Sequence, residues 1–346
     1  MTMTTGPAIL VSEFLPKERG KVLGITVASV YTGLAVGPFA GGILTQQLGW
    51  RSIFIVSALF GLAASVVAFL FLGKDTPTNQ PRKINLTGSF VYALALMAMV
   101  IGSAQIPDQS GWMLLGTGLL LLALFIRIEK KVRFPVIDLS LFARNKLFAF
   151  SNIAALINYS ATFAIVFLLS LYLQKIKSLS PQEAGTILLF QPLMMALLSP
   201  LTGKMSDKIQ PRFIATTGMA LTAIGLLLFA FLRENTPNTP IILNLILVGT
   251  GFALFSSPNM NTIMSSVEKH QYGIASGVSA TMRVVGQMVS MTIVTLFFAL
   301  YIGQTQISQV ADDLFMSSLK WTFVAFAAIA FIGIGFSYYR GNIQRR

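Results

Sequence analysis

The sequence predicts an all-α polytopic membrane protein, and three observations carry that prediction. Hydrophobic residues make up 54% of the 346 and charged residues 11%, with a mean hydropathy of +0.73, whereas a soluble domain carries about 25% charged residues. Apolar stretches of bilayer-spanning length, about 20 residues, recur along the whole chain. Lysine and arginine collect in every second connection between them. The chain has no cysteine and a single histidine, His270, so disulfides and thiol catalysis are excluded and a Cys/His zinc site has no ligand set.

Residues 1 to 14 are apolar and end at Glu13 and Phe14. They lack a basic n-region and a cleavage site, so they do not read as a signal peptide. At 1.5 Å per residue they cover roughly 21 Å, short of a hydrocarbon core. Spans near 22 to 46 and 52 to 72 follow, separated by Arg51. Next come 86 to 105 and 112 to 128, the shortest, after Lys74, Arg82 and Lys83. Six more lie near 147 to 173, 184 to 202, 213 to 232, 241 to 264, 274 to 300 and 321 to 339.

Nineteen of the 25 lysines and arginines fall in one alternate set of connections, and only Arg51, Lys175, Lys177, Arg233 and Lys320 in the other. Arg283 lies within a span. The asymmetry places the first set, and with it Arg340, Arg345 and Arg346 at the C-terminus, in the cytoplasm of a multi-pass cell-membrane protein. It also accounts for the net charge of +13 without a nucleic-acid partner. Removing the 112 to 128 span would invert every later loop and destroy the asymmetry.

A repeat is visible in the glycines. Gly20, Gly24 and Gly33 recur at Gly273, Gly277 and Gly286, an offset of 253 residues, and each triplet opens an apolar span behind a short charged loop. Extended over the six spans from 147 onwards, that offset predicts partners for three within this chain and about three more upstream of Met1. The pair 86 to 105 and 112 to 128 has no place in the repeat and reads as an inserted hairpin in a fourteen-helix plan.

Within the 22 to 46 span runs GLAVGPFAGG, from Gly33 to Gly42. In water each interior Gly costs a helix about 1 kcal/mol and Pro about 3. In a bilayer Gly33, Gly37 and Gly41 lie within an arc of about 80°, with Pro38 and Gly42 beside them, a slim face that lets another helix approach closely. Pro38 cannot donate to the Leu34 carbonyl, which predicts a bend. Ordinary tight packing accounts for the same glycines, since Gly and Pro are common in membrane helices.

The loop GKMSDKIQPR, Gly203 to Arg212, is a tight basic connection in which Asp207 can cap or face the positive end of the 213 to 232 helix, with Lys208 and Arg212 serving the charge bias. A solvated turn is the alternative. Arg283 should face the protein interior, with Gln287 one turn on sharing its face; it reads either as a contact for substrate or a moving partner, or as a structural arginine. Asn152, Asn158, Tyr159, Gln191, Asn244, Asn259 and Asn261 are further polar groups in spans. They are cavity candidates that also suit helix-packing hydrogen bonds. Gly249-Thr250-Gly251 lacks the third glycine and preceding strand of a nucleotide loop.

GLAVGPFAGG resembles the antiporter motif G-x-x-x-G-P-x-x-G-G of the major facilitator superfamily at all five defining positions, Gly33, Gly37, Pro38, Gly41 and Gly42. Gly203, Asp207, Lys208 and Arg212 resemble its cytoplasmic G-x-x-x-D-R/K-x-G-R-R/K loop, with Gln210 in place of a usual Gly. The tract PVIDLSLFARNKL from Pro135 to Leu147, and Tyr172-Leu173-Gln174, are similar to the fourteen-helix drug:proton antiporter branch, the multidrug efflux group. The resemblance implies a major facilitator fold lacking about three N-terminal helices. Residues 1–72 would be a partial N-lobe, 73–146 a linker with the inserted helix pair, and 147–346 a complete six-helix C-lobe with a basic tail. It further implies efflux of an amphipathic drug-like substrate in exchange for protons, without a cofactor or metal. The antiporter motif would seal the lobe interface, the cytoplasmic loop would latch it, and the spans from 147 and 241 would line the cavity.

None of the twelve acids sits in mid-membrane, although proton coupling calls for a carboxylate on the pathway; in the resembling branch it lies on the first helix, upstream of Met1. Transport is therefore expected only together with the missing helices. The rival expectation is an inactive fragment or an interaction subunit completed by a separate N-terminal polypeptide. No nucleophile, base and orienter come together in the sequence, so an enzyme is not expected.

Overall fold

The computed structural model describes residues 2–71, 85–132, 135, 139–303 and 307–343. These form helices α1 (Thr2–Glu13), α2 (Arg19–Leu48), α3 (Arg51–Phe71), α4 (Leu86–Ala104), α5 (Gln109–Glu129), α6 (Ser140–Arg144) and α7 (Lys146–Thr162). They continue as α8 (Ile165–Leu171), which runs into a π turn over Tyr172–Ile176, then α9 (Pro181–Leu188), α10 (Phe190–Lys208), α11 (Pro211–Phe229), α12 (Asn238–Ser265), α13 (Tyr272–Tyr301) and α14 (Asp312–Tyr339). Among the described residues ten stretches, α7 with α8 and α9 with α10 each counting once, are long and apolar enough to cross a membrane. The ten spans read from the sequence correspond to them one for one. No strand occurs among the described residues. Lys74, Arg82, Lys83, Arg133, Arg345 and Arg346, and part of the Pro135 to Leu147 tract, lie outside them.

Helix starts follow local chemistry. Asn85 accepts from the Gly88 amide at 3.0 Å and Asn145 from the Phe148 amide at 3.0 Å, each satisfying a first-turn donor of α4 or α7. Ser180 and Glu183 form a reciprocal capping box on α9. Pro181 and Pro211 open α9 and α11, where a missing N–H costs nothing.

Contacts join the helix ends that the charge pattern assigns to one side, which we call the basic end. Asn145 at the start of α7 donates to the Ser266 carbonyl behind α12 at 2.6 Å. The Arg19 guanidinium lies 5.3 Å from the Tyr272 ring, joining the starts of α2 and α13, and Asn85 of α4 donates to Glu129 of α5 at 2.8 Å. At the opposite end Lys175 pairs with Asp312 at 2.9 Å and donates to the Val310 carbonyl at 2.9 Å.

Packing relies on small residues, as expected where lipid offers no hydrophobic drive between helices. A Cβ on Gly286 of α13 would lie 2.7 Å from the Leu156 carbonyl of α7, and one on Gly251 of α12 would lie 2.7 Å from the Gly218 carbonyl of α11. Gly249 is equally tight, against Gln191 of α10 at 2.6 Å. The Gly249-Thr250-Gly251 run is thus helix-packing surface. Buried Leu168, Tyr172, Phe229, Phe315, Phe323 and Phe326 fill the core towards the opposite end, and Val11, Leu23, Phe148, Ile263 and Tyr272 a smaller one at the basic end. The α4–α5 hairpin reaches α13 through Tyr92, whose hydroxyl bonds Thr281 at 2.7 Å. α3 is exposed along nearly its whole length.

Candidate functional site

Two arrangements stand out, a seam at the basic end and a polar cluster halfway along the helices. The seam is where α2 lies along α10. A Cβ on Gly20 would fall on the Gly203 carbonyl oxygen and vice versa, and one on Gly24 would lie 2.5 Å from the Ser199 carbonyl and 3.1 Å from Pro200 Cα. Only glycine permits this approach. Across it, the Asp207 carboxylate at the end of α10 accepts from the Gly20 amide at 2.8 Å and the Lys21 amide at 2.9 Å. A carboxylate there satisfies two first-turn donors and faces the positive end of the α2 dipole. Asn261 of α12 supports it, donating to Ser206 at 2.9 Å and Asp207 at 3.4 Å, and Thr202 of α10 donates to the Ala253 carbonyl of α12 at 2.8 Å.

The helix that Asp207 caps is α2 rather than α11, the helix expected from the sequence. α11 opens on Pro211, which has no N–H to offer, while Gly203 and Gly20 bring the last turn of α10 against α2. Gln210 is engaged elsewhere, donating to the Ile343 carbonyl at 3.2 Å and accepting from its amide at 3.1 Å. Lys208 is exposed. Arg212 stacks on Phe213 at 4.5 Å and Tyr338 at 5.6 Å.

The GLAVGPFAGG stretch behaves differently from the seam. Nothing lies within 4 Å of where a Cβ on Gly33 or Gly37 would be, and at Gly41 the nearest atom is Ile53 Cδ1 at 3.9 Å. Among the described residues this face is uncovered. The side-chain surroundings of Pro38 and Gly42 lie outside the description.

The cluster joins four helices. Tyr31 of α2, Tyr159 of α7, Phe252 of α12 and Arg283 of α13 each sit about eleven to thirteen residues in from the basic end of their helix, about 17–20 Å deep at 1.5 Å per residue. The hydroxyls of Tyr31, Tyr159 and Ser256 and the Arg283 guanidinium are neighbours in this cluster. Both tyrosine rings stand edge-on to Phe252, each at 5.6 Å between centroids. Tyr31, Tyr159, Arg283 and Gln287 are half-buried. The acids that the structure describes all lie at helix ends or in connections, so Arg283 sets the sign of charge in the cluster.

Of the other polar residues read from the sequence, Asn152 donates within its own helix to Phe148 at 2.9 Å, and Asn244 bridges α12 to the Gly225 carbonyl of α11 at 2.8 Å. Asn259 donates to the Ser151 carbonyl at 3.1 Å and accepts from Arg340 at 2.6 Å. Both amide atoms of Asn158, and Gln191 Oε1, are buried without a hydrogen-bond partner. Burial and the neighbouring Arg212 push the Arg340 pKa down to about 9, so it remains charged at neutral pH.

Tyr31, Phe252 and Ser256 escaped the sequence reading, and Arg340 entered it only as a cytoplasmic charge. Counting depth from each basic end would have found the first two, because aromatic residues at the depth of Arg283 are candidates to meet it.

The family model described as Major Facilitator Superfamily matches residues 1–291 and, overlapping, 152–345. The chain is 31% identical over 339 residues to the riboflavin transporter RibZ of Clostridioides difficile (strain 630), covering 96% of this chain and 72% of that protein. It is 28% identical to the multidrug resistance protein Stp of Mycobacterium tuberculosis, over 86% of this chain and 56% of Stp. The drug efflux pump JefA of the same species is also 28% identical, with 88% and 61% covered. The chain thus spans between just over half and just under three quarters of these relatives. The structure of the human organic anion transporter MFSD10 superposes with a TM-score of 0.63 at 12% identity, covering 97% of this chain and 67% of that one, a likeness of fold alone. On the family match and the RibZ identity together, the chain belongs to the Major Facilitator Superfamily and is a multi-pass membrane transporter rather than an enzyme.

Proposed function

We propose that this chain forms the larger part of an exporter that moves an amphipathic, ring-bearing small molecule out across the cell membrane in exchange for protons, by alternating access. The observation that carries this reading is the seam. Asp207 on the amides of Gly20 and Lys21 closes the basic end beneath a half-buried cluster of Tyr31, Tyr159 and Arg283, an arrangement suited to a cytoplasmic gate under a cargo site. In this reading the basic end, with the C-terminus, faces the cytoplasm. GLAVGPFAGG then offers its uncovered face to helices within the length by which the relatives exceed this chain. A proton-carrying carboxylate would lie there too.

The test is transport in proteoliposomes under an imposed pH gradient, comparing the 346-residue chain with a protein extended to the length of its relatives. Gradient-driven dye efflux by the extended protein alone is the expected result. Efflux by the shorter chain would remove the claim that coupling lies outside it, and no efflux by either would reject antiport. A second reading, a subunit completed by a separate polypeptide, is favoured by the same uncovered face at Gly33 and Gly37. Co-expression restoring transport would select it.

A further inference from the structure

We propose that the ligand of the midplane cluster is a flat aromatic anion, held by its carboxylate, sulfonate or phosphate on Arg283 and by its ring against Tyr31 and Tyr159, which Phe252 backs. The inference rests on reading the cluster as the cargo site, and it adds the sign and shape of the cargo.

The first argument is electrostatic. Arg283 is half-buried on α13, and the hydroxyls of Tyr159, Tyr31 and Ser256 are grouped near it. No acid among the described residues lies at that depth; the described carboxylates stand at helix ends or in connections, Asp207 and Glu129 at the basic end and Asp312 opposite. A cation entering here would lose its hydration and meet a like charge, with no carboxylate of the described residues beside it. An anion would exchange its hydration for a guanidinium and several oriented hydroxyls, the pairing that is strongest in a poorly hydrated site. A guanidinium also suits a planar two-oxygen acceptor better than a lone ammonium would.

The second argument is shape. Phe252 is 4% exposed and is flanked by the edges of Tyr31 and Tyr159 at interplanar angles of 81° and 67°. Three rings from α2, α12 and α7 thus form one aromatic wall beside the donors. Such walls select flat, polarisable ring systems through stacked and edge-on contacts. Gln287, one turn along α13 and half-buried, adds an amide that can donate or accept, so the cargo's ring can carry a heteroatom.

The test keeps one ring and varies the charge. Binding of 2-naphthoate, 2-naphthamide and 2-naphthyltrimethylammonium to the full chain in lipid nanodiscs is measured by titration calorimetry. We expect 2-naphthoate to bind at least about tenfold tighter than either other probe, the scale of one charge-assisted pair. Arg283→Gln should bring 2-naphthoate down to the level of the amide and leave the amide unchanged, while Arg283→Lys should retain part of the preference. If Arg283→Gln does not fold, the three-probe series on the unaltered chain still decides. Tyr31→Phe, which keeps the ring and removes one donor, should lower 2-naphthoate affinity severalfold. Equal binding of the three probes, preference for the cation, no measurable 2-naphthoate binding, or an Arg283→Gln variant that still prefers the anion would each overturn the inference. Preference for the cation would leave the transport reading standing; anion binding without vesicle transport would remove that reading and keep this one.

Discussion

The two halves of α2 carry the same kind of residue and meet opposite fates. At the basic end Gly20 and Gly24 lie against the backbone of α10, under the Asp207 carboxylate. About two and a half turns on, a Cβ on Gly33 or Gly37 would meet nothing within 4 Å among the described residues. The difference shows that a small-residue stripe does not create an interface by itself; it permits one, and the partner decides whether the permission is used. The same contrast runs through the repeat, with inverted sense. Gly273 and Gly277, counterparts of Gly20 and Gly24, are open, whereas Gly286, counterpart of Gly33, is pressed against α7.

Substitutions can break or sharpen this comparison. The largest effect is expected at Gly24→Val, where the new side chain meets the Ser199 carbonyl and Pro200 Cα, neither of which can swing aside. Forced separation of α2 from α10 should cost about 3 kcal/mol, read as a lower unfolding midpoint in detergent; an unchanged midpoint would mean the seam is not packed as described. Asp207→Ala removes the carboxylate from the Gly20 and Lys21 amides and should cost about 1–2 kcal/mol. Its signature is faster hydrogen exchange at those two amides, and unchanged protection would refute the capping role. Thr202→Val deletes the bond to Ala253 on α12 and should cost about 1 kcal/mol or less, measured by the same unfolding assay. Gly37→Ala completes the series: with open space around it, the change should shift stability by less than about 1 kcal/mol, in the stabilising direction. A large loss there would show that the outer half of α2 is covered after all.

The sequence made the helices legible because hydropathy and the charge alternation both depend on the bilayer, and every span from 22 to 339 recurs as a helix. Arg283 and Tyr159 were legible for the same reason, as polar groups inside apolar runs. Tyr31 and Phe252 were not, since an aromatic residue in a membrane span looks like ordinary packing until its depth is matched with Arg283. The partner of Asp207 was misread because capping was sought on the helix next in sequence. The donors it serves, Gly20 and Lys21, lie 187 and 186 residues away, and local chemistry carries no trace of so distant a neighbour. Asn261, a cavity candidate that also suited a helix-packing hydrogen bond, takes the second role, donating to Ser206 and Asp207 in the seam.

The seam has a further consequence, which concerns time. Gly20 and Gly203 meet backbone to backbone, so no rotamer change can loosen them by a fraction, and the Asp207 carboxylate bridges two amides of the same helix start, that of α2. Opening therefore requires whole helices to part in a single step, because packed interfaces switch between discrete arrangements and do not deform continuously. The proposed gate should accordingly show two dwell states with a waiting time between them, and a single-molecule distance trace across α2 and α10 should jump and not drift.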